Sequence, residues 1–309
     1  MYGHDPVMSN DGQVWLFDPA ETLQPIQTRD GSGPVVREIC CKSLLNTSSI
    51  GDYSFNCYVG CEHACGYCYA RYMQRFHPHT EAWGRFVDVK VNAVQVLARQ
   101  LRILPTGSVF TCSACDGWQP IEEHYRLTRE CCRLLLAAGF SLTILTKNRL
   151  VLRDLDIFSG HEICLGVTIT TPDEDWAKIW EPAASPVADR WEILRQAKAA
   201  GLRTAVMFGP LLPGISDTED ALRRLYKQAA EVCVNHVWTD ILNRRSCVWP
   251  AIQEVVRHHC PDLYEQYRRL LFDTAWRRRY RREVKARIGR IAAACRKSKR
   301  PPPSDSWRR

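Results

Sequence analysis

The 309-residue sequence contains no run of about 18 apolar residues, so no membrane-spanning helix is expected. Its first ten residues carry Asp5 and lack the apolar stretch of a signal peptide. A cytoplasmic location with no membrane contact is the expectation. No internal repeat is present, and Pro301–Pro303 is the one low-complexity run. Apolar residues at 45% and charged residues at 25% are ordinary for a globular chain with a sizeable core.

Cysteine is abundant, with 15 residues. In a chain of this size without an export signal, metal binding or catalysis is the better reading than disulfides. Charge is uneven. Trp276–Arg309 holds 14 basic and 2 acidic residues, against 28 and 32 in the remainder. The basic character belongs to the tail, and the body is mildly acidic.

Short β-rich runs alternate with helical patterns from about residue 50 to 241. Candidate strands are Tyr53–Asn56, Ser108–Cys112, Ser141–Thr146, Ile163–Thr170, Arg203–Phe208 and His236–Ile241. Helical periodicity covers Ile121–Ala138, Asp173–Trp180, Ala188–Ala200 and Thr218–Cys233. Repeated β-α units with nearly all-apolar strands predict a parallel sheet with right-handed crossovers. About six units are too few for an eight-stranded barrel, so an α/β fold of the partial (β/α)6 barrel type is expected. Its active site should lie at the C-terminal strand ends. The expected division is an irregular N-terminal arm (1–36), a core barrel (37–245) and a helical, basic C-terminal extension (246–309).

The main chemical signal is Cys61, Cys65 and Cys68, spaced C-x3-C-x2-C on one loop. Thiolates hold iron–sulfur clusters, and full protein ligation of a 4Fe–4S cluster takes four. Three thiolates leave one iron open, which the amino and carboxylate groups of S-adenosylmethionine can chelate. Reduction then breaks a C–S bond and yields a 5′-deoxyadenosyl radical. With Cys57 as a fourth thiolate, the same segment reads as a structural zinc site on a non-catalytic nucleic-acid-binding protein. The usual zinc pattern, two C-x2-C units across a longer loop, is missing.

The chain resembles the spore photoproduct lyase-like family of radical SAM proteins from about Ile39 to Pro213. Asn56–Arg71 is similar to the family's N-P-Y-x-G-C-x-H-x-C-x-Y-C-Y-A-R, and Asp116–Glu122 to its D-P-Y-Q-P-x-E. Leu145-Thr146-Lys147 with Arg153-Asp154-Leu155, and Glu181-Pro182 with Arg190, also match. There are three departures. Cys57 replaces the proline, Asp116-Gly117-Trp118 replaces D-P-Y, and Cys112 and Cys115 precede Asp116.

The resemblance implies a 4Fe–4S cluster on the three cysteines and S-adenosylmethionine beside it. It places Tyr67 and Tyr69 near the adenine, Ser113 and Asp116 near the methionyl end, and Phe208, after Met207, against the adenine. Lys147 and Arg190 are expected to meet a carboxylate of the cofactor, and Thr168 and Thr170 its ribose. A cysteine hydrogen-atom donor is known in the general region of Cys112 and Cys115, which makes these two the candidate catalytic residues. His63 is not assigned to iron. Radical chemistry of this kind needs a low-potential electron donor of the flavodoxin or ferredoxin type. Lyase or modification chemistry on nucleic acid is favoured, and a peptide or small-molecule substrate is the alternative.

In the tail, Tyr280, Val284, Ile288, Ile291 and Cys295 recur at three and four residues, one helix face with arginines around it. Residues 276–309 therefore suggest contact with DNA or RNA phosphates, with Trp276, Tyr280 and Trp307 stacking on bases. A helix docked on the barrel by its apolar stripe is the plainer reading of the same pattern.

Overall fold

The computed structural model describes residues 33–297, with short strands at Val7–Met8, Val14–Trp15 and Ser304–Asp305. Its centre is a sheet of six parallel strands in chain order: β1 (Tyr53–Phe55), β2 (Ser108–Thr111), β3 (Ser141–Thr146), β4 (Ile163–Thr168), β5 (Arg203–Leu211) and β6 (His236–Ile241). Each pairs in parallel with the next. This is the expected α/β partial barrel, and all six anticipated strands are found.

The helices are α1 (Ala93–Gln100), α2 (Leu127–Ala137), α3 (Glu174–Trp180), α4 (Val187–Ala199), α5 (Glu219–Val232), α6 (Trp249–His259), α7 (Tyr264–Phe272) and α8 (Thr274–Lys297). Side chains alternate across the sheet. Register pairs Val167 with Val206 and Val237, and Thr168 with Met207 and Trp238. The valine row is buried under the helices, whereas Met207 and Trp238 line the half-open interior.

Two details differ from the sequence reading. The helix anticipated over Ile121–Ala138 breaks at Arg126, whose φ is 55°. The cause is Glu122, whose carboxylate accepts from the Thr128 and Arg129 amides and caps α2 as a separate helix. Val35–Ile39 forms a strand that the sequence reading did not anticipate. It pairs in parallel with Phe86–Lys90, which pairs antiparallel with Tyr58–Val59. This small sheet, and α1 behind it, carry the chain from β1 to β2.

The C-terminal helix follows the docked reading. Tyr280, Val284, Ile288, Ile291 and Ala292 are buried, and the helix packs on α5 and α7. Tyr280 donates to Asp217 Oδ2 at 2.9 Å, and the Arg287 guanidinium lies 3.8 Å from the same oxygen. Tyr280 is therefore unavailable for base stacking, which corrects that expectation. Trp307 lies outside the described residues. Among the described residues no helix is long and apolar enough to cross a membrane.

Ile288→Ala should lower the unfolding free energy by about 2–5 kcal/mol, because it opens a cavity under α8. The exposed Arg282→Ala should change it by less than about 0.5 kcal/mol. Urea denaturation followed by circular dichroism distinguishes the two.

Candidate functional site

The segment 60–68 leaves Tyr58–Val59 and crosses the C-terminal ends of β1–β4. Gly60 turns it with φ +92°, and a Cβ there would lie 2.4 Å from the Phe86 carbonyl oxygen, so only glycine fits. Ala64 takes a left-handed φ of 53° and presses on Gly84, where an added Cβ would lie 2.4 Å from Ala64 Cβ. Side chains from β-α loops then fasten the segment. Gln119 Oε1 accepts from Glu62 N at 2.8 Å, and Glu62 Oε2 accepts from Ile121 N at 2.6 Å. Gly66 N donates to Trp180 O at 2.9 Å, and Arg71 donates to Cys65 O at 3.2 Å.

Cys61 and Cys65 are buried and Cys68 is half-buried. All three are free thiols. Burial pushes the Cys61 thiol well up, the Cys65 thiol to about 12 and the Cys68 thiol upward, and Cys61 is raised further by Asp116, Cys65 and Cys68. Cys57 turns away, with its Sγ 3.7 Å from Cys131 Sγ in the core. The four-thiolate zinc set including Cys57 is not assembled. Among the described residues no three His, Cys, Asp or Glu side chains are grouped to hold a single metal ion. The three loop thiols remain as a donor set for a larger, thiolate-bound group.

Lys147 follows the end of β3 and faces this loop. Burial alone would lower its ammonium, but Cys65, Glu181, Asp116 and Cys61 hold it above its ordinary value. Asp116 sets its backbone: Oδ2 accepts from Lys147 N at 2.8 Å, and Oδ1 accepts from Thr146 Oγ1 at 2.7 Å and Trp118 N at 2.9 Å. Asp116 thus braces the end of β2 to the end of β3. His63 is buried 3.4 Å from Asp116 and near Asn148 Nδ2 at 3.3 Å, and burial lowers its pKa to about 4.

Glu181 claims three other expected residues. Its carboxylate accepts from Tyr67 OH, from Thr170 Oγ1 at 2.7 Å and from the Arg190 guanidinium. Arg190 also donates to Ser185 O at 2.7 Å and Thr168 O at 3.1 Å. Burial alone would raise Glu181, yet Arg190 and Lys147 hold it below its ordinary value. Tyr67, Thr170 and Arg190 therefore serve a buried ion-pair network and do not present free groups to a ligand. Phe208 is corrected too. It points outward, 6.3 Å from Trp191 of α4 and 5.4 Å from Tyr226 of α5, because strand alternation gives the interior to Met207.

Tyr69 and Ser113 stay at the mouth, with Tyr69 OH donating to Ser113 O. Thr168 faces the interior beside Met207. Cys115 is half-buried and packs with Cys61, Cys68, Ala70 and Met73. Cys112 is buried behind it with φ 56° and contacts the Cys115 thiol. A Cβ on Gly117 would lie 2.3 Å from Cys112 Sγ, so these two departures from the family pattern require each other. Asn56 escaped the sequence reading. Its Oδ1 accepts from Ala114 N at 2.8 Å and lies 3.7 Å from Cys115 Sγ. A polar residue directly after a strand, in a motif shared with the family, was the available signal.

The sequence profile described as the radical SAM superfamily matches residues 55–225. The chain belongs to the radical SAM superfamily. An uncharacterized protein of Methanocaldococcus jannaschii is 31% identical over 185 residues, 59% of this chain and 70% of that protein. An uncharacterized protein of Mycobacterium tuberculosis is 29% identical over 277 residues, 84% of this chain and 81% of that protein. The fold is like that of spore photoproduct lyase complexed with dinucleoside spore photoproduct: TM-score 0.58, 15% identity, 72% of this chain and 66% of that one. Membership makes the chain an enzyme and implies S-adenosylmethionine and a 4Fe–4S cluster as cofactors.

Glu181→Gln should cost about 3–5 kcal/mol of stability at neutral pH, because Arg190 is left buried without a counter-charge. The double variant Glu181→Leu with Arg190→Met should recover most of that loss in urea unfolding.

Proposed function

We propose that this radical SAM enzyme holds its cluster on Cys61, Cys65 and Cys68 and directs the resulting radical at nucleic acid. The observation that carries the cluster assignment is the set of three free thiols on one braced loop, facing Lys147, with Cys57 withdrawn. When bound and reduced, the cluster supplies the electron that cleaves S-adenosylmethionine to a 5′-deoxyadenosyl radical. The thiols must lose their protons to bind iron, and the Lys147 ammonium stabilises the negative charge gathered there.

Lys147 would hold the carboxylate of the cofactor, and Tyr69, close enough to feel the Lys147 charge, with Ser113 and Thr168 would contact the rest of that molecule. A low-potential flavodoxin- or ferredoxin-type partner supplies the electron.

Two features support nucleic acid as substrate. The exposed side of α8 carries Arg278, Arg279, Arg281, Arg282, Lys285 and Arg290 on a body that is otherwise mildly acidic. The spore photoproduct lyase of similar fold binds a dinucleoside. Cys115 is assigned as hydrogen-atom donor: its S–H bond breaks, the hydrogen atom joins a carbon radical of the substrate, and a thiyl radical remains. Cys115 is the partly exposed member of its pair. Cys112, packed beneath Gly117, backs it.

Anaerobic reconstitution with iron and sulfide should give about four irons per chain. Dithionite reduction should give a paramagnetic spectrum that S-adenosylmethionine perturbs, with 5′-deoxyadenosine formed. All three should be lost in Cys61→Ala/Cys65→Ala/Cys68→Ala. Stoichiometric zinc with no cleavage product would refute the assignment.

Cys115→Ala should retain 5′-deoxyadenosine formation while completed product per 5′-deoxyadenosine falls by about tenfold or more. Unchanged coupling would remove Cys115 from catalysis.

A further inference from the structure

The turn that follows Cys68 builds an exposed aromatic strip. Residues Tyr69–Arg75 form a 3-10 helix, in which side chains three apart lie above one another. Ala70 is buried and Met73 packs inward with Cys61, which leaves Tyr69, Tyr72 and Phe76 along the outer side. The Tyr69 and Tyr72 rings are nearly parallel, at 15° with centroids 6.4 Å apart, and Phe76 stands edge-on to Tyr72 at 6.4 Å. Phe76 is 70% exposed and Tyr69 39%. Burial in this fold leaves few large apolar side chains outside, so a row of three beside the proposed radical site needs an occupant.

Arginines frame the strip. Arg75 is exposed at its end, and the Arg245 guanidinium lies 4.2 Å over the Tyr72 ring. Arg244, next in the chain and exposed, donates to Thr274 Oγ1 at 3.1 Å, the first residue of α8. It also lies close enough to Arg277 for its charge to be felt there, as does Arg281, with Asp240 among them. A basic track thus runs from α8 through residues 244–245 to the aromatic strip. Aromatic faces with flanking arginines fit unpaired bases on a phosphate backbone. Duplex bases offer edges and not faces.

We infer that Tyr72, Phe76 and Arg245 form a stacking platform that takes single-stranded or locally unpaired nucleic acid and delivers it to the mouth above Cys68. This rests on the proposal that nucleic acid is the substrate, and it names the form that is bound. A base stacks on the exposed Phe76 ring, and the Arg245 guanidinium, itself seated on the Tyr72 ring, offers a second flat face, while Arg244 and the basic side of α8 hold the phosphates.

The test uses the full chain and a labelled mixed-sequence oligonucleotide of about 20 nucleotides, as single-stranded DNA, single-stranded RNA or DNA duplex, in anisotropy titrations over a range of salt. Either single strand should bind more tightly than duplex. Phe76→Ala and Tyr72→Leu should each weaken single-strand binding by about fivefold to a hundredfold, with the salt slope unchanged. Arg244→Ser/Arg245→Ser should instead flatten the slope by about 0.7 per arginine. Phe76 is exposed, so its replacement should leave the circular dichroism spectrum unchanged. Wild-type affinity in Phe76→Ala and Tyr72→Leu, or duplex binding equal to single-strand binding, would overturn the platform while leaving nucleic acid as substrate. If wild-type protein binds none of the three, the substrate reading fails together with the platform. The reconstitution experiment tests the cluster independently of either.

Discussion

A carboxylate survives burial only where its charge is met, and Glu122 is met from four directions. Tyr58 OH donates to it, the Thr128 and Arg129 amides donate at 3.0 Å each, and Arg153 pairs with it at 3.1 Å. These partners come from the strand that leads into the cysteine loop, the first turn of α2, and the turn after β3. A single buried group thereby fixes the distance between the loop and the barrel. Asp154 extends the knot, accepting from Trp118 Nε1 at 2.8 Å and from Arg129 and Arg153. Asp116 and Glu181 repeat the device at the ends of β2 and β4. The cysteine segment has almost no regular structure, and it holds its place because these carboxylates gather polar groups from its surroundings.

This arrangement also sets the electrostatics of the site. Glu122, Asp154 and Glu181 are each met by an arginine, whereas Asp116 has neutral donors and still raises the Cys61 thiol, a charge that Lys147 offsets. Arg190 is spent on Glu181, which leaves Lys147 and Arg71 as the cations beside the loop thiols. Division of labour between two superficially similar basic residues follows from burial: Arg190 has 1% of its surface exposed, whereas Lys147 is half-buried at the mouth.

The barrel was legible in the sequence because parallel strands covered by helices are short, apolar and regularly spaced. Where it was not legible, a tertiary partner had overridden a local pattern. Arg126 sits inside good helical periodicity, but the cap supplied by Glu122 breaks the helix there. The pairing of Val35–Ile39 with Phe86–Lys90 depends on chain brought together across 46 intervening residues, 40 to 85 by number, which no local period reports. The site residues divide the same way. The cysteine triplet and Lys147 could be found from spacing and strand ends. The roles of Tyr67, Thr170 and Arg190 could not, since they turn on one shared partner, Glu181. Phe208 was misplaced by a single step of strand alternation, which moves a side chain from the interior to the helix-covered face.

The departures from the family pattern acquire a common explanation in space. Cys115 lies close enough to act on the ionisation of both Cys57 and Cys112, and Cys131 and Cys132 of α2 join them from behind. Burial raises the Cys57 and Cys132 thiols well above their ordinary value, and the contact with the Cys115 thiol, then burial, does the same for Cys112, so they stay protonated. They remain competent as hydrogen-atom sources and as small apolar fillers. Gly117 belongs to the same adjustment, because a proline or any other side chain there would collide with Cys112. The substitutions therefore read as one repacked pocket wall directly behind Cys115. Its effect falls on the substrate side of the site, while Cys61, Cys65, Cys68 and their braces are untouched.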